Sequence, residues 1–419
     1  MTVLTSSAPI GIAAQRRGLL WSEHFYLFAA FVAAVVVVDP LEWDLPAHTV
    51  VKHLALMIAF PAIAATLLGR KLGSPLHGTS FVGGPLRAAW PIFTLALIII
   101  CGSTYARLIH DIQSTFLNVG LYMLATFGAA AMVVQTDHPE ALLRAHFRIL
   151  LVAATVMGVA LILYSGVRQV YHEEIFLVIP MAALFFARAK RGFLGWIGFA
   201  YFLSMAWFSH KYTSYLIGAL TVAYLTLFVA LPRMSAQPRL YRMTAAYWFF
   251  ILAFFGAAFG AYVAIQGSVE LPTGNPEYRL HTYALAWERF TESPLWGTLF
   301  AVESVEKFTP YAIGIAGDLL PTHSDVLDLL ANGGVLALLL WASGLYALFR
   351  AAFRKLLHPE FVWDSWAPYG HTLAVLSFAG VFAYAFNPIL LQPSMSYLLW
   401  TNLGLLLGLS IRALEHHAG

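Results

Sequence analysis

The chain has 419 residues, 60% of them hydrophobic and 11% charged, with a formal net charge of +3 and a mean hydropathy of +0.74. No soluble domain needs that proportion of apolar surface, so the composition excludes a water-soluble enzyme or a nucleic-acid-binding protein. It leaves an all-α polytopic membrane protein, because a helix crossing the bilayer needs about 20 mostly apolar residues and satisfies its own backbone groups.

In chain order the apolar stretches predict twelve transmembrane helices, at 23–39, 49–69, 88–106, 117–135, 147–165, 173–187, 193–209, 212–231, 245–265, 326–349, 368–388 and 394–413. The segment before the first carries Arg16 and Arg17 without a small-residue cleavage pattern, so the first span reads as an uncleaved anchor. No internal repeat, soluble domain or low-complexity linker interrupts residues 1–419, which read as a single integral membrane domain. The single cysteine, Cys101, excludes an intrachain disulfide.

The cations fix the orientation. Seventeen of the 24 Lys and Arg residues, including Arg70, Lys71, Arg188, Lys190, Arg191, Arg239 and Arg412, crowd every second gap. The positive-inside rule makes those gaps cytoplasmic and places both termini inside. The first outer gap, Asp39 to Asp44, is acidic. Seven cations remain outside and call for another explanation: Lys52, Arg107, Arg168, Lys211, Arg279, Arg289 and Lys307.

The outer gap between the ninth and tenth spans, 266–325, is far longer than a connection requires, and loops of that length usually carry function. From Gly274 it opens with turn formers and then reads as a helix with Leu280, Tyr283, Leu285, Trp287 and Phe290 apolar among charged residues, ended by Pro294. Trp296, Phe300, Phe308 and Tyr311 suit a segment lying at the membrane interface.

The pattern Arg279, Leu280, Tyr283, Ala286, Phe290, Pro294 and Gly297, followed by His323, Ser324, Leu327, Leu330, Gly333 and Gly334, resembles the O-antigen ligase and polymerase superfamily. These are bacterial inner-membrane enzymes that move glycans from undecaprenyl diphosphate to an acceptor on the periplasmic face. The chain departs from the family at Ser324, where Asn is common, and at Tyr283, where Trp is usual. The family also carries a cation, commonly Arg, just before the eighth span. The matching stretch runs Phe208-Ser209-His210-Lys211-Tyr212-Thr213, so the resemblance gives that role to Lys211. Lysine neutralises phosphate as a point charge but does not fork onto it.

The chemistry of such a transfer asks for the same residues. A prenyl diphosphate leaving group gathers negative charge as the glycosidic bond breaks, and fixed cations stabilise it. Arg279, Lys211 and Arg168 are the candidates, although Glu173 and Glu174 stand ready to pair with Arg168. The outer face shows no Asp-x-Asp or His-x-x-x-His pattern, so neither metal nor cofactor is expected. His323 reads as the base or orienting group for the acceptor hydroxyl, with Asp318 or Asp325 placed to orient its imidazole. His210 either contacts phosphate or terminates the seventh span. Arg289, ten positions after Arg279 and 280° around the helix, reads as facing away from it and as a secondary contact. Lys52, Arg107 and Lys307 read as interface anchors.

The expected partners are an undecaprenyl-diphosphate-linked glycan donor, a lipid A core or other glycan acceptor, and membrane lipid, with no nucleic acid. Two other functions fit the same composition. A polymerase or a protein O-oligosaccharyltransferase would use the same cations and histidine with another acceptor. A transporter of an anionic lipid or sugar would show inverted repeats and charged or broken helices at mid-membrane, whereas the candidate charges here lie in loops and at span ends.

Overall fold

The computed structural model describes residues 21–38, 85–111, 116–136, 138–164, 175–188, 192–233, 275–301, 324–356, 366–384 and 393–415, with some positions in these ranges described in backbone only. Among the described residues every regular element is helical. The first half of the chain supplies α1 (Trp21–Val38), α2 (Pro85–His110), α3 (Phe116–Gln135) and α4 (Pro139–Tyr164). Next come α5 (Ile175–Val178) and α6 (Ala182–Arg188), joined by a 3-10 turn containing Pro180, then α7 (Phe193–Phe208) and α8 (Tyr212–Leu225), which continues through a π turn, Thr226–Ala230. The second half supplies α9 (Asn275–Glu292), α10 (Asp325–Leu356), α11 (Ala367–Tyr384) and α12 (Pro393–Glu415).

Six of these helices are long and apolar enough to cross a membrane: Ala89–His110, Phe116–Val134, Pro139–Tyr164, Tyr212–Ala230, Asp325–Arg354 and Ser394–Arg412. The spans predicted at 49–69 and 245–265 lie outside the described residues, so the count of twelve and the position of the long loop between the ninth and tenth spans stand as expectations. Two predicted boundaries need correction: the tenth span was expected to end at 349, but α10 runs on to Leu356. The fifth span was expected from 147, but α4 begins at Pro139. Its first turns are too polar for a hydropathy window, yet they are helical and carry the Glu140–Arg144 pair at 2.7 Å.

The core is organised around α12, which packs against α3, α10, α11 and α1 and buries Tyr397, Trp400, Leu403 and Leu406 completely or nearly so. In a bilayer, lipid is as apolar as leucine, so helices associate through close backbone approach rather than through the hydrophobic effect. Gly404 and Gly408 provide that approach. A Cβ at Gly404 would sit 2.2 Å from the Thr126 carbonyl oxygen on α3, and one at Gly408 would sit 2.6 Å from that of Ala130. At the far end of this contact Arg412 donates to the Val133 and Val134 carbonyls, at 3.1 and 3.2 Å, and to that of Thr136, closing the C-terminus of α3.

Two buried histidines act as cross-links in this apolar setting. His146 of α4 has the Tyr26 hydroxyl of α1 3.2 Å from Nδ1 and the Asn402 Oδ1 of α12 3.0 Å from Nε2. The His371 Nδ1 of α11 meets the Tyr224 hydroxyl of α8 at 3.0 Å. Both pairs satisfy polar groups that would be costly to leave facing hydrocarbon.

Candidate functional site

The site begins with a helix that does not run through. Gly334, nine residues and about 14 Å along α10, has φ 63° and ψ −166°, and the ladder of backbone bonds stops there. The segment that follows α9 takes up the released groups. Val335 N–H donates to the Pro294 carbonyl at 2.9 Å and Leu336 N–H to that of Leu295 at 3.3 Å, while the Asn332 carbonyl accepts from Phe300 N–H at 3.0 Å. Asn332 also donates through its side chain to the Asp328 carbonyl at 2.8 Å, which braces the turn before the break.

This interlock explains residue types that the sequence pattern alone left as a motif. Pro294 follows the end of α9 and offers its carbonyl to α10. Gly297, at φ 58°, lies so close that a Cβ would stand 2.5 Å from the Asn332 carbonyl carbon. A Cβ on Gly334 would stand 2.4 Å from the Leu295 carbonyl. Both glycines have a conformation and a clearance that only glycine meets. On its other side the segment touches α2, where a Cβ on Gly102 would overlap the Leu299 carbonyl and where Ser103 Oγ donates to the Phe300 carbonyl at 3.4 Å. Phe300 is fully buried there and tilts against Phe116 at 5.3 Å between ring centres.

The helix carrying Arg279 lies on α10. Its packed row includes Thr282 and Ala286, while Trp287 is 57% exposed. Arg279 occupies the same helical row, seven positions before Ala286 and so only about 20° short of two full turns from it. Arg289 was expected to face away from Arg279, and this is corrected: 280° is only 80° short of a whole turn, and Arg289 is half-buried on the shoulder of the packed face.

Lys211 sits at a corner made by Ser209, His210 and Lys211 between α7 and α8. Ser209 N–H still bonds back to the Met205 carbonyl at 3.1 Å, and the Lys211 carbonyl already accepts from Ser214 and Tyr215 at 3.1 and 3.2 Å. The reversal is made at His210, whose φ of 52° is rare for a residue with a side chain and which is exposed. Trp207 and Tyr212 stand out from the corner as an aromatic belt at a membrane interface does. The contacts run from α8 to α11, from α11 to α10 and from α10 to α9, so Lys211 and Arg279 ride on elements joined through two intervening helices. Arg107, another of the cations expected outside, forms an exposed pair with Asp111 at 2.8 Å, which contributes little.

Arg168, Asp318 and His323 lie outside the described residues. The residues that follow His323 are placed: the Ser324 carbonyl accepts from Asp328 N–H at 3.0 Å and so opens α10, and the next residue, Asp325, is fully buried. Asp325 and Asp328 put two buried carboxylates in the first turn of that helix, where its positive end favours them.

Sequence reasoning missed a cluster at the same end of the bundle. Tyr384 is the last residue of α11, and Ser396 and Trp400 belong to the first two turns of α12. The Tyr384 hydroxyl lies beside the Ser396 hydroxyl and the Trp400 indole N–H and within the field of the Asp325 carboxylate. No signal in the sequence marks these three, because three separate helices bring the cluster and Asp325 together. Compared with known proteins, the chain matches no family model and no curated protein.

Proposed function

We propose that this chain transfers a glycan from undecaprenyl diphosphate to a sugar hydroxyl, with the lipid A core of lipopolysaccharide as acceptor, on the periplasmic face of the bacterial inner membrane. It does so as a twelve-span protein with both termini in the cytoplasm. The observation that carries the reading is the interlock. Pro294 and Gly297 belong to one end of the resemblance pattern and Gly333 and Gly334 to the other, and the two ends meet backbone to backbone. That packing ties the helix bearing Arg279 to the helix that begins at Asp325, two positions after His323 in the sequence.

In the reaction the acceptor oxygen attacks the anomeric carbon on the face opposite the diphosphate. The bond from that carbon to the diphosphate oxygen breaks, its electron pair leaves with the diphosphate, and the anomeric centre inverts. Arg279 and Lys211, with Arg168, neutralise the departing charge. His323 takes the proton of the acceptor hydroxyl or holds that hydroxyl in line. Loss of the gene, followed by a lipopolysaccharide gel, tests the reading. Disappearance of long O-antigen supports ligation, shortening to a single repeat turns the assignment to a polymerase, and an unchanged ladder overturns both.

One observation favours a second reading, a transporter of an anionic lipid or sugar: α10 is broken within its membrane-length stretch. In a transporter such a break lines a cavity that an ion or substrate fills. Here the polar groups of the break are met by residues 294–300 of the same chain, which supports a fixed structural joint and therefore the enzyme reading.

A further inference from the structure

The transfer as written uses Lys211 for its charge and leaves the groove beside it unassigned. Between α7 and α8 runs an open cavity of about 560 Å³ with Ala206 and Gly218 as its buried floor. The two helices touch there, since a Cβ on Gly218 would stand 3.1 Å from that of Ala206, and small residues of this kind let an apolar chain approach the backbone closely. Trp207 and Tyr215, edge to face at 6.1 Å between ring centres, wall the end nearest the corner, and Val222 and Ala223 line the other end. From Tyr215 to Ala223 the groove follows α8 for about 12 Å.

The occupant must match both the wall of the groove and its end. The wall is apolar apart from the indole and phenol at the corner end. Lys211 stands one turn before Tyr215, about 6 Å along the helix, half-exposed and next to the exposed His210. The positive end of the α8 dipole points at the same corner. The complementary ligand is therefore an amphiphile with an anionic head on an apolar chain. Phospholipids and prenyl phosphates share that description, and shape separates them. A single groove takes one chain, whereas a phospholipid brings two. The hollows over Ala206, Gly218 and Ala219, between larger side chains, take the methyl branches of a prenyl chain, and an unbranched chain leaves those contacts unmade.

We propose that the groove between α7 and α8 seats the first isoprene units of the lipid-linked donor, entered sideways from the bilayer, with the phosphate at Lys211. The proposal rests on the glycan-transfer reading, which gives that lysine a prenyl diphosphate. It adds that the donor is selected by the branching of its lipid as well as by its charge, and that α7 and α8 make this selection rather than the helix bearing Arg279.

The test titrates single lipids into the purified full chain in detergent and counts the bound molecules by native mass spectrometry. The probes are undecaprenyl phosphate and dioleoyl phosphatidic acid, which carry the same phosphate monoester on one branched chain and on two unbranched chains. Undecaprenyl phosphate should bind about tenfold tighter. Ala219→Phe fills the groove from an exposed position and should weaken that binding about tenfold, as a forced overlap does, with phosphatidic acid unaffected. Val222→Trp, at another exposed position, repeats the test farther from the corner should Ala219→Phe fail to fold. Lys211→Ala should also weaken undecaprenyl phosphate, because it removes the contact to the head. Equal binding of the two lipids, or undecaprenyl phosphate binding that both groove variants leave unchanged, would overturn the proposal and return the groove to ordinary bilayer lipid. If the lipids behave as expected but the natural protein transfers no glycan to rough lipopolysaccharide, the groove stands and the transfer reading falls. If it transfers glycan and Ala219→Phe leaves the KM for the lipid-linked donor unchanged, the groove falls and the transfer reading survives.

Discussion

Replacing Gly334 by alanine addresses the joint on which the proposed site depends. At φ 63° and ψ −166° the residue sits in a region open only to glycine, and a side chain there costs about 1–3 kcal/mol in backbone strain. The added Cβ would also lie 2.4 Å from the carbon and oxygen of the Leu295 carbonyl and 2.6 Å from the Trp296 nitrogen. These are backbone atoms and cannot rotate away, so the segment after α9 must lift from α10. Lifting it breaks the bonds of Val335 to Pro294, Leu336 to Leu295 and Phe300 to Asn332, at about 1 kcal/mol each. The sum, roughly 4–6 kcal/mol, approaches the total stability of many domains. In detergent, Gly334→Ala should lower the midpoint of heat-induced aggregation by about 5–10 °C and abolish transfer even in protein that remains folded. Leu339→Ala is the control, on the same helix but 61% exposed, and should stay near the natural protein. A Gly334→Ala protein with unchanged midpoint and activity would refute the argument that the interlock positions the site.

The remaining predictions are more direct. Arg279→Ala should abolish transfer with membrane insertion intact, Arg279→Lys should be impaired because bidentate phosphate contact is lost, and Lys211→Arg should be tolerated; full activity of Arg279→Ala in a membrane assay would show the residue to be an anchor only. His323→Ala should lower turnover by about 10² to 10⁴ with donor binding retained, and a variant that instead loses donor affinity would move His323 to the diphosphate. Gly404→Val should destabilise the chain by about 1–3 kcal/mol or more, since the added Cβ would stand 2.2 Å from the Thr126 oxygen; thermal unfolding in detergent measures it. Reporter fusions after Lys190 and Arg239 should read cytoplasm and one after Asn275 periplasm, and a cytoplasmic Asn275 would remove the active-site argument.

The sequence by itself determined that the chain is helical and membrane-embedded, because about 20 apolar residues in succession have no other stable form in lipid. It located α3 within a residue at each end and placed α9 between the turn formers at Gly274 and Pro294, since those signals are local. It marked Gly297, Gly333 and Gly334 as a pattern but gave no reason for them. The reason is a contact between backbones more than 30 positions apart, and no periodicity reports a partner that distant. Hydropathy likewise ran through Gly334 as one continuous span, because a window averages side chains and is blind to a single glycine at positive φ. Tyr384, Ser396 and Trp400 passed as ordinary members of span ends. Only the packing of α10, α11 and α12 decided that their polar atoms meet in one buried place beside Asp325.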